Sequence, residues 1–301
     1  MSAHIGSTPS VGSPIQSLEI LKYPRTPHLE GSRLQVGDEG HEHVRLASLA
    51  GCHAVIEEKL DGANVGVSFT SGGELLLQSR GHYLVGGGRE RQFTPFKRWA
   101  CAHEARLLEL LEDRYVMYGE WLYAKHSVSY DCLPHWFCEF DIYDRVAQEF
   151  LSTPRRHAML AGSPVVSVPV LQVGAMPRDV KSLRALVRPS LAKSAQWRNA
   201  FEQSVRRQEL DLPLAWQQTD KSDLSEGLYI KVEDERQVLG RYKWVRPDFV
   251  QTILDSGSHH STRPVIPNGL APEADLYAPV ATAGWHDSSA VVRDALRGSR
   301  T

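Results

Sequence analysis

Apolar and polar positions repeat along this chain with two different periods. Val65, Val67 and Phe69 occupy every second position of Asn64–Phe69, the period of a strand with one buried face. Similar runs lie at Ala54–Glu57 and Leu75–Arg80, set off by turns at Asp61-Gly62 and Gly72-Gly73, so three successive strands are predicted. The period then lengthens. Phe96, Trp99, Ala100, His103, Leu107, Leu110 and Leu111 fall three and four apart and predict a helix over 96–112. Tyr115–Leu122 and Phe137–Tyr143 read as strands again. Thr153 followed by Pro154 gives an N-cap and a first-turn proline, which predicts a short helix to about Leu160. Val165–Val173 is a strand carrying a proline, expected near a sheet edge. Residues 177–210 are expected to be mostly helical. Glu226–Glu233 and Arg241–Arg246 form a last strand pair, ended by Pro247.

The ends of the chain look different. Residues 1–17 are small and polar and read as a flexible leader, with no apolar core or Arg-rich amphipathic pattern of a targeting signal. Lys22–Ser32 is expected to be extended, because two prolines restrict it. From residue 257 the chain is rich in Ser, Pro, Ala and Gly and reads as a poorly ordered tail over 257–301, with one short helix near Ser288–Leu296. This leaves one domain over 18–256. Its expected class is α+β, antiparallel sheets with helices packed outside.

Composition narrows this only slightly. With 301 residues, 42% hydrophobic and 23% charged, the chain is of ordinary globular type and long enough to bury a core without staples. No run of about 18 apolar residues exists, so no membrane helix is expected. Cys52, Cys101, Cys132 and Cys138 lack CxxC spacing, and buried free thiols in a reducing cytoplasm are the expectation. His41 and His43 form His-x-His without further ligands at zinc spacing and read as a solvated loop. A net charge of −2 does not mark a nucleic-acid binder, so any such surface must be local. Gly86–Trp99, with Arg89, Arg91, Lys97 and Arg98 around Phe93 and Phe96, is the candidate; it reads either as a solvated loop or as a contact surface for a polynucleotide.

The chemistry concentrates in short polar segments at strand ends. Glu57-Glu58-Lys59-Leu60-Asp61-Gly62-Ala63-Asn64 places a lysine between a strand end and a tight turn. Gly119-Glu120-Trp121 closes an apolar strand. In Glu226-Gly227-Leu228-Tyr229-Ile230-Lys231 a carboxylate and an amine lie five apart, out of phase on a regular strand. Gly227 therefore predicts a bulge that brings both to one cleft. Lys243 follows on the paired strand. Each segment alone is a common turn or surface pattern. Their order and spacing together are specific.

The set KxDGxN, GEW, FDIYD, EGLYIK and RYKW resembles the covalent nucleotidyltransferases, and most of all the nick-sealing phage RNA ligases and their bacterial relatives. The resemblance spans Lys22 to Arg246. It implies a nucleotidyltransferase (ATP-grasp-like) fold and ATP-dependent RNA ligation through a lysyl-AMP intermediate. It implies ATP and Mg2+ as cofactors, with Mn2+ as a substitute, and RNA ends as partners. On this resemblance Lys59 is the nucleophile and Glu58 lies at the adenine edge through its backbone. Asn64 contacts the α-phosphate region, Arg80 the ribose and phosphates, and Glu120 the ribose hydroxyls. Phe140 stacks on adenine, Glu226 organises the metal through water, and Lys231 and Lys243 hold the α-phosphate. Neighbouring cations, Lys231 and Lys243 among them, are expected to lower the Lys59 pKa. Where relatives often have Lys-x-Lys, this chain has Arg241-Tyr242-Lys243, which leaves the role of Arg241 open. Arg25 and His28 precede the core and could reach phosphates or nucleic acid. Arg89 and Arg91 are the candidate nucleic-acid contacts.

Two other readings are weighed. DNA ligases and capping guanylyltransferases usually carry an OB-fold after the last motif, and Pro247–Thr301 has no alternating strands to build one. A catalytically dead nucleotide- or RNA-binding module conflicts with the charged motif positions all being present. Without a large second domain, an end-processing kinase or phosphatase is an expected partner.

Overall fold

Among the described residues the strands run β1 (His53–Lys59), β2 (Ala63–Phe69), β3 (Leu75–Ser79), β4 (Tyr115–Trp121), β5 (Phe137–Asp144), β6 (Glu149–Phe150), β7 (Val166–Ser167), β8 (Val170–Ala175), β9 (Gly227–Glu233) and β10 (Val238–Val245). The structure is a computed structural model and describes residues 19–34, 43–249 and 264–285. The strands form a four-stranded sheet of order β10-β9-β1-β8 and a second sheet of order β3-β2-β4-β5-β6, with β7 pairing to β5. These pairs are antiparallel except β5 with β7. Helices accompany them: α1 (Thr94–Ala102), α2 (Glu104–Leu111), α3 (Thr153–Leu160), α4 (Val180–Arg184), α5 (Trp197–Arg207) and α6 (Leu212–Gln217).

Strand alternation decides what faces what. On β2 the apolar set Val65, Val67 and Phe69 packs with Phe96, Trp99, Leu107 and Leu111 of α1 and α2 in one core. Each such fully buried large side chain contributes roughly 1.5–3 kcal/mol. The opposite face of this sheet carries Asn64 and Glu120, which are cross-strand partners, and Tyr118 opposite Asp141. In the smaller sheet Ile56, Leu228, Ile230 and Trp244 pack against Leu29, Leu46, Met176 and Leu183. Its other face presents Glu57, Lys59, Tyr229, Lys231, Arg241 and Lys243, by register. The polar faces of the two sheets look toward each other, and the cleft between them holds most of the singled-out residues.

Three predicted elements come out divided. The 96–112 helix breaks at His103, whose φ of −109° and ψ of 12° are not helical, while the apolar stripe continues on both halves. The Val165–Val173 strand breaks before Pro169, which has no N–H for a ladder, and its halves β7 and β8 join different sheets. Residues 177–210 hold α4 and α5 with an irregular stretch between, where Pro189 bridges Leu224.

The amino-terminal segment is extended and covers the open edge of β10: the Leu29 N–H donates to the Lys243 carbonyl at 3.0 Å and the Lys243 N–H to that of Pro27 at 2.9 Å. The tail reading of 257–301 is corrected over 264–285. There Pro267 and Leu270 bridge Ala124 and Leu133, and Ala283 lies fully buried in the α1–α2 core. Asn268 is buried, donating to the Leu122 carbonyl at 2.7 Å and accepting from the Tyr130 N–H at 2.9 Å. The Pro- and Ala-rich composition hid this because the contacts are backbone pairing, one asparagine and apolar residues such as Ile266, Leu270 and Trp285 that follow no strand or helix period. Residues 1–17, His41 and the Ser288–Leu296 helix lie outside the described residues. Cys52, Cys101, Cys132 and Cys138 are free thiols, but only Cys138 is buried as expected; Cys101 is exposed on α1 and Cys52 and Cys132 are half-buried. Among the described residues no helix is long and apolar enough to cross a membrane.

Candidate active site

Lys59 is the last residue of β1 and its amine lies 2.8 Å from Glu226 Oε2. The lysine side chain is 22% exposed and the glutamate 1%, so what exposure the pair has lies on the lysine. Glu120 completes the group: it accepts from the Gly62 N–H at 2.9 Å and acts on Lys59 electrostatically. Burial pushes the Lys59 amine down, but Glu226, Glu120 and Asp61 outweigh it and hold the pKa above the ordinary lysine value. This corrects the expectation of a lysine activated by neighbouring cations. Burial raises the Glu120 carboxyl to about 8 against the opposing pull of Lys59, with Asp61 and Glu226 adding to the rise.

The turn after Lys59 does more than reverse the chain. Asp61 points away from the cleft, and its Oδ2 accepts the Ser127 and Val128 N–H groups at 2.6 and 2.7 Å. Its own N–H donates to the Tyr130 hydroxyl at 2.8 Å. Gly62 is required by close approach, since a Cβ there would lie 2.5 Å from the Trp121 carbonyl oxygen. Glu58 turns its side chain to the opposite face from Lys59, where Ser190 Oγ and the Leu191 N–H donate to it. Burial raises its carboxyl to about 7 even so. Glu58 can therefore serve the Lys59 face only through its backbone.

The bulge expected at Gly227 does not form. β9 pairs with β1 in unbroken register from Gly227 to Val232. Glu226 reaches Lys59 because it precedes the first paired residue and is free of strand alternation. Gly227 is instead needed for close packing, as a Cβ there would sit 2.0 Å from the Trp244 carbonyl oxygen. Arg246, to which the sequence alone assigns no role, donates from Nε to the Ser225 carbonyl at 2.9 Å and pairs with Asp220 and Asp248, buttressing Glu226 from behind.

The bulge lies in β5. Tyr118 pairs with Asp141 and Gly119 with Glu139, which leaves Phe140 as the extra residue. Phe140 packs edge-on against Tyr23 at 5.0 Å and faces Tyr229 at 6.1 Å with 31° between the rings. Lys231 is fully buried below it, its amine held by Glu57 at 2.9 Å, Asp141 at 3.3 Å and the Phe140 carbonyl. Arg156 of α3, also fully buried, joins Glu57 and Glu139 at 2.8 and 2.7 Å. Arg241 stacks over Phe150 at 3.9 Å and reaches Asp141 at 4.0 Å. Lys243 lies opposite Tyr229 on the cleft face, partly buried. Of the residues singled out, Lys59, Glu120, Glu226 and Asn64 come together; Lys231 belongs to a separate buried network.

The remaining candidates are spread. Arg80 is exposed beyond β3 and Arg91 is exposed on the 3-10 turn Gly88–Phe93 that also contains Arg89. Lys97 pairs with Glu90. Arg25 is exposed, and His28 is buried with Nδ1 2.7 Å from Ser32 Oγ. His43 hydrogen-bonds the Ser32 carbonyl at 2.9 Å.

The donor set suits magnesium better than a protein-caged metal. Among the described residues no group of three His, Cys, Asp or Glu could hold an ion. Magnesium keeps most of its waters and needs only one or two carboxylates. Glu226 is the carboxylate nearest the Lys59 amine, and Asn64 has a buried Oδ1 with no hydrogen-bond partner.

A family model described as RNA ligase matches residues 53–245. The RNA ligase of Naegleria gruberi in its pyrophosphate-bound structure is 17% identical, with a TM-score of 0.49 over 81% of this chain and 63% of that one. Point variants of that enzyme with ATP and Mn, and with AMP and Mn, have TM-scores of 0.44 and 0.43 at 18% and 17% identity; the first covers 67% of this chain and 51% of that one, the second 75% and 62%. The chain thus spans between half and two thirds of these proteins. No curated protein matches it at a significant level.

Proposed function

We propose, since this chain belongs to the RNA ligase family, that it is an ATP-dependent RNA ligase working through a lysyl-AMP intermediate on Lys59. The observation that carries this is the Lys59 amine at a strand end, on a partly exposed side chain, paired with Glu226 and within the field of Glu120. In the first step the amine, once deprotonated, attacks the α-phosphorus of ATP; an N–P bond forms and the bond to pyrophosphate breaks. A 5′-phosphate oxygen then displaces the lysine, which regains its amine as AMP moves to the RNA end. Finally a 3′-hydroxyl attacks that 5′-phosphorus and AMP leaves.

The chain's own residues divide the work. Lys59 needs to lose a proton that Glu226, Glu120 and Asp61 retain in the free protein. Glu226 would hold magnesium through water, with Asn64 beside it, and bound magnesium would supply positive charge that offsets the carboxylates around Lys59 and stabilises the departing pyrophosphate. Glu120 would take the ribose hydroxyls, Phe140 the adenine face, Lys243 the α-phosphate, and exposed Arg80 the outer phosphates. Glu58 would offer its backbone to the adenine edge. Arg89 and Arg91 would track the RNA backbone. RNA ends carrying 5′-phosphate and 3′-hydroxyl are the substrates, so a kinase or phosphatase that prepares such ends is the expected companion activity. The free thiols support a reducing, cytoplasmic setting.

The test is covalent labelling. Protein with ATP and magnesium should gain one AMP, acid-labile and alkali-stable as a phosphoramidate is, mapping to Lys59. ATP should be strongly preferred over GTP. A Lys59→Ala protein that still forms the adduct would overturn the assignment.

A further inference from the structure

Lys231 is placed by sequence where a phosphate-binding lysine is expected, but its surroundings point elsewhere. Its side chain is 0% exposed. An ammonium has three N–H donors; here it donates to Glu57 at 2.9 Å and to the Phe140 carbonyl oxygen, and Asp141 lies 3.3 Å away as an ion-pair partner. The amine is enclosed by these protein groups and has no exposed surface to offer a phosphate.

The Phe140 carbonyl gives the amine its task. Phe140 is the unpaired residue of the β5 bulge, so its peptide has no cross-strand partner in the register. A buried carbonyl left in that way costs free energy unless something donates to it. A bulge also re-aims its side chain, and here it turns the Phe140 ring toward Tyr23 and Tyr229. Lys231 satisfies the stray carbonyl and so fixes the peptide from which the ring projects. The amine is itself fixed. Glu57 is shared with Arg156, which also grips Glu139 on the other side of the bulge. Asp141 is held by the Tyr23 hydroxyl. Residues 139, 140 and 141 are thus each anchored to the smaller sheet, to α3 or to the amino-terminal segment by one connected set of buried charges.

We propose that Lys231 is a positioning residue that sets the Phe140 ring for the nucleotide base, and that it makes no contact with phosphate. This rests on the reading of Phe140 as the base-stacking surface. Adenosine separates the two roles, because it has the base and no phosphate. Removing Lys231 alone would leave one buried negative charge in excess beside Glu57 and Asp141, so Glu57→Gln with Lys231→Met is the variant of choice; it removes one charge of each sign and leaves Arg156 paired to Glu139. Inhibition of adduct formation by adenosine, and KM and kcat for ATP, are measured on the wild type, this double variant and Phe140→Ala. Folding of each is checked by thermal melt.

A positioning role weakens adenosine and raises the KM for ATP by the same factor, roughly tenfold given what one base stack contributes, with a smaller change in kcat. Unchanged adenosine affinity with a fall in kcat makes Lys231 a phosphate ligand and overturns the proposal. No change in any constant overturns it equally. If Phe140→Ala leaves adenosine affinity intact, the stacking role of Phe140 fails and the proposal falls with it, while the Lys59 adduct assignment is untouched.

Discussion

Glu226 pairs with the Lys59 amine and Glu120 is buried within its field, and burying that second carboxyl costs the free protein stability. An ordinary glutamate ionises near 4.5, whereas burial raises this one to about 8, only partly countered by Lys59. Between those values the unfolded chain has released the proton and the folded chain retains it. Stability then falls as pH rises through the window, since the unfolded state binds fewer protons. Glu58, raised by burial to about 7, adds to the same slope. We expect the melting temperature to decline from about pH 5 to about pH 8, and Glu120→Gln to flatten most of that decline. Circular dichroism melts across the range would check it. An unchanged slope in Glu120→Gln would mean that its carboxyl is not the group retaining the proton. The same charges fit the chemistry: carboxylates that keep Lys59 protonated in the free protein are the ones a divalent cation would neutralise when nucleotide arrives.

At the scale of elements, period and turn chemistry made most strands legible, because each buries one face and ends at Gly, Asp or Pro. The lysine, the two carboxylates and the asparagine around it were legible for a related reason: they sit at strand ends, where short motifs survive intact. What could not be read was whatever depends on register. The extra residue in β5 is visible only against β4, and the phase of Glu226 only against where β9 starts pairing. Asp61, Tyr130, Arg156 and Arg246 were missed because their partners lie far along the chain. The 264–285 segment was missed because composition alone described it. Its docking is testable. Asn268→Ala would leave the Leu122 carbonyl and the Tyr130 N–H without their buried partners. Each costs about 1–3 kcal/mol when stranded, so a loss of roughly 2–5 kcal/mol in a denaturant melt is expected. Tyr130 accepts from the Asp61 N–H, so adduct formation should slow as well. A loss below about 0.5 kcal/mol, the size of a neutral surface change, would mean the segment docks without this asparagine.

On the scale of the whole molecule the question is where a polynucleotide lies on a chain with a net charge of −2. The 3-10 turn Gly88–Phe93 is the favoured surface. Gly86 and Gly87 take φ of 124° and 123°, and a Cβ at either would meet nothing within 4 Å, so the approach to the turn is open. The turn is also tied to the site: the indole N–H of Trp121, the residue after Glu120, donates to the Gln92 carbonyl at 2.8 Å. Lys97 is engaged by Glu90, which leaves Arg91 and Arg98 exposed on this side. On the proposed function, cations on a turn tied to Trp121 rather than to the Lys59 group would suit the later steps, when an RNA end meets the adenylate. Arg89→Ala combined with Arg91→Ala should therefore spare adduct formation and weaken joining. Removing one phosphate-binding cation lowers the salt slope of binding by about 0.7–0.9, so the defect should shrink at low salt. A solvated turn predicts no change in either step, and a triphosphate contact predicts failure of the adduct itself. Measuring both steps at two salt concentrations separates the three, and normal joining by the double variant at physiological salt would remove this turn from the RNA path.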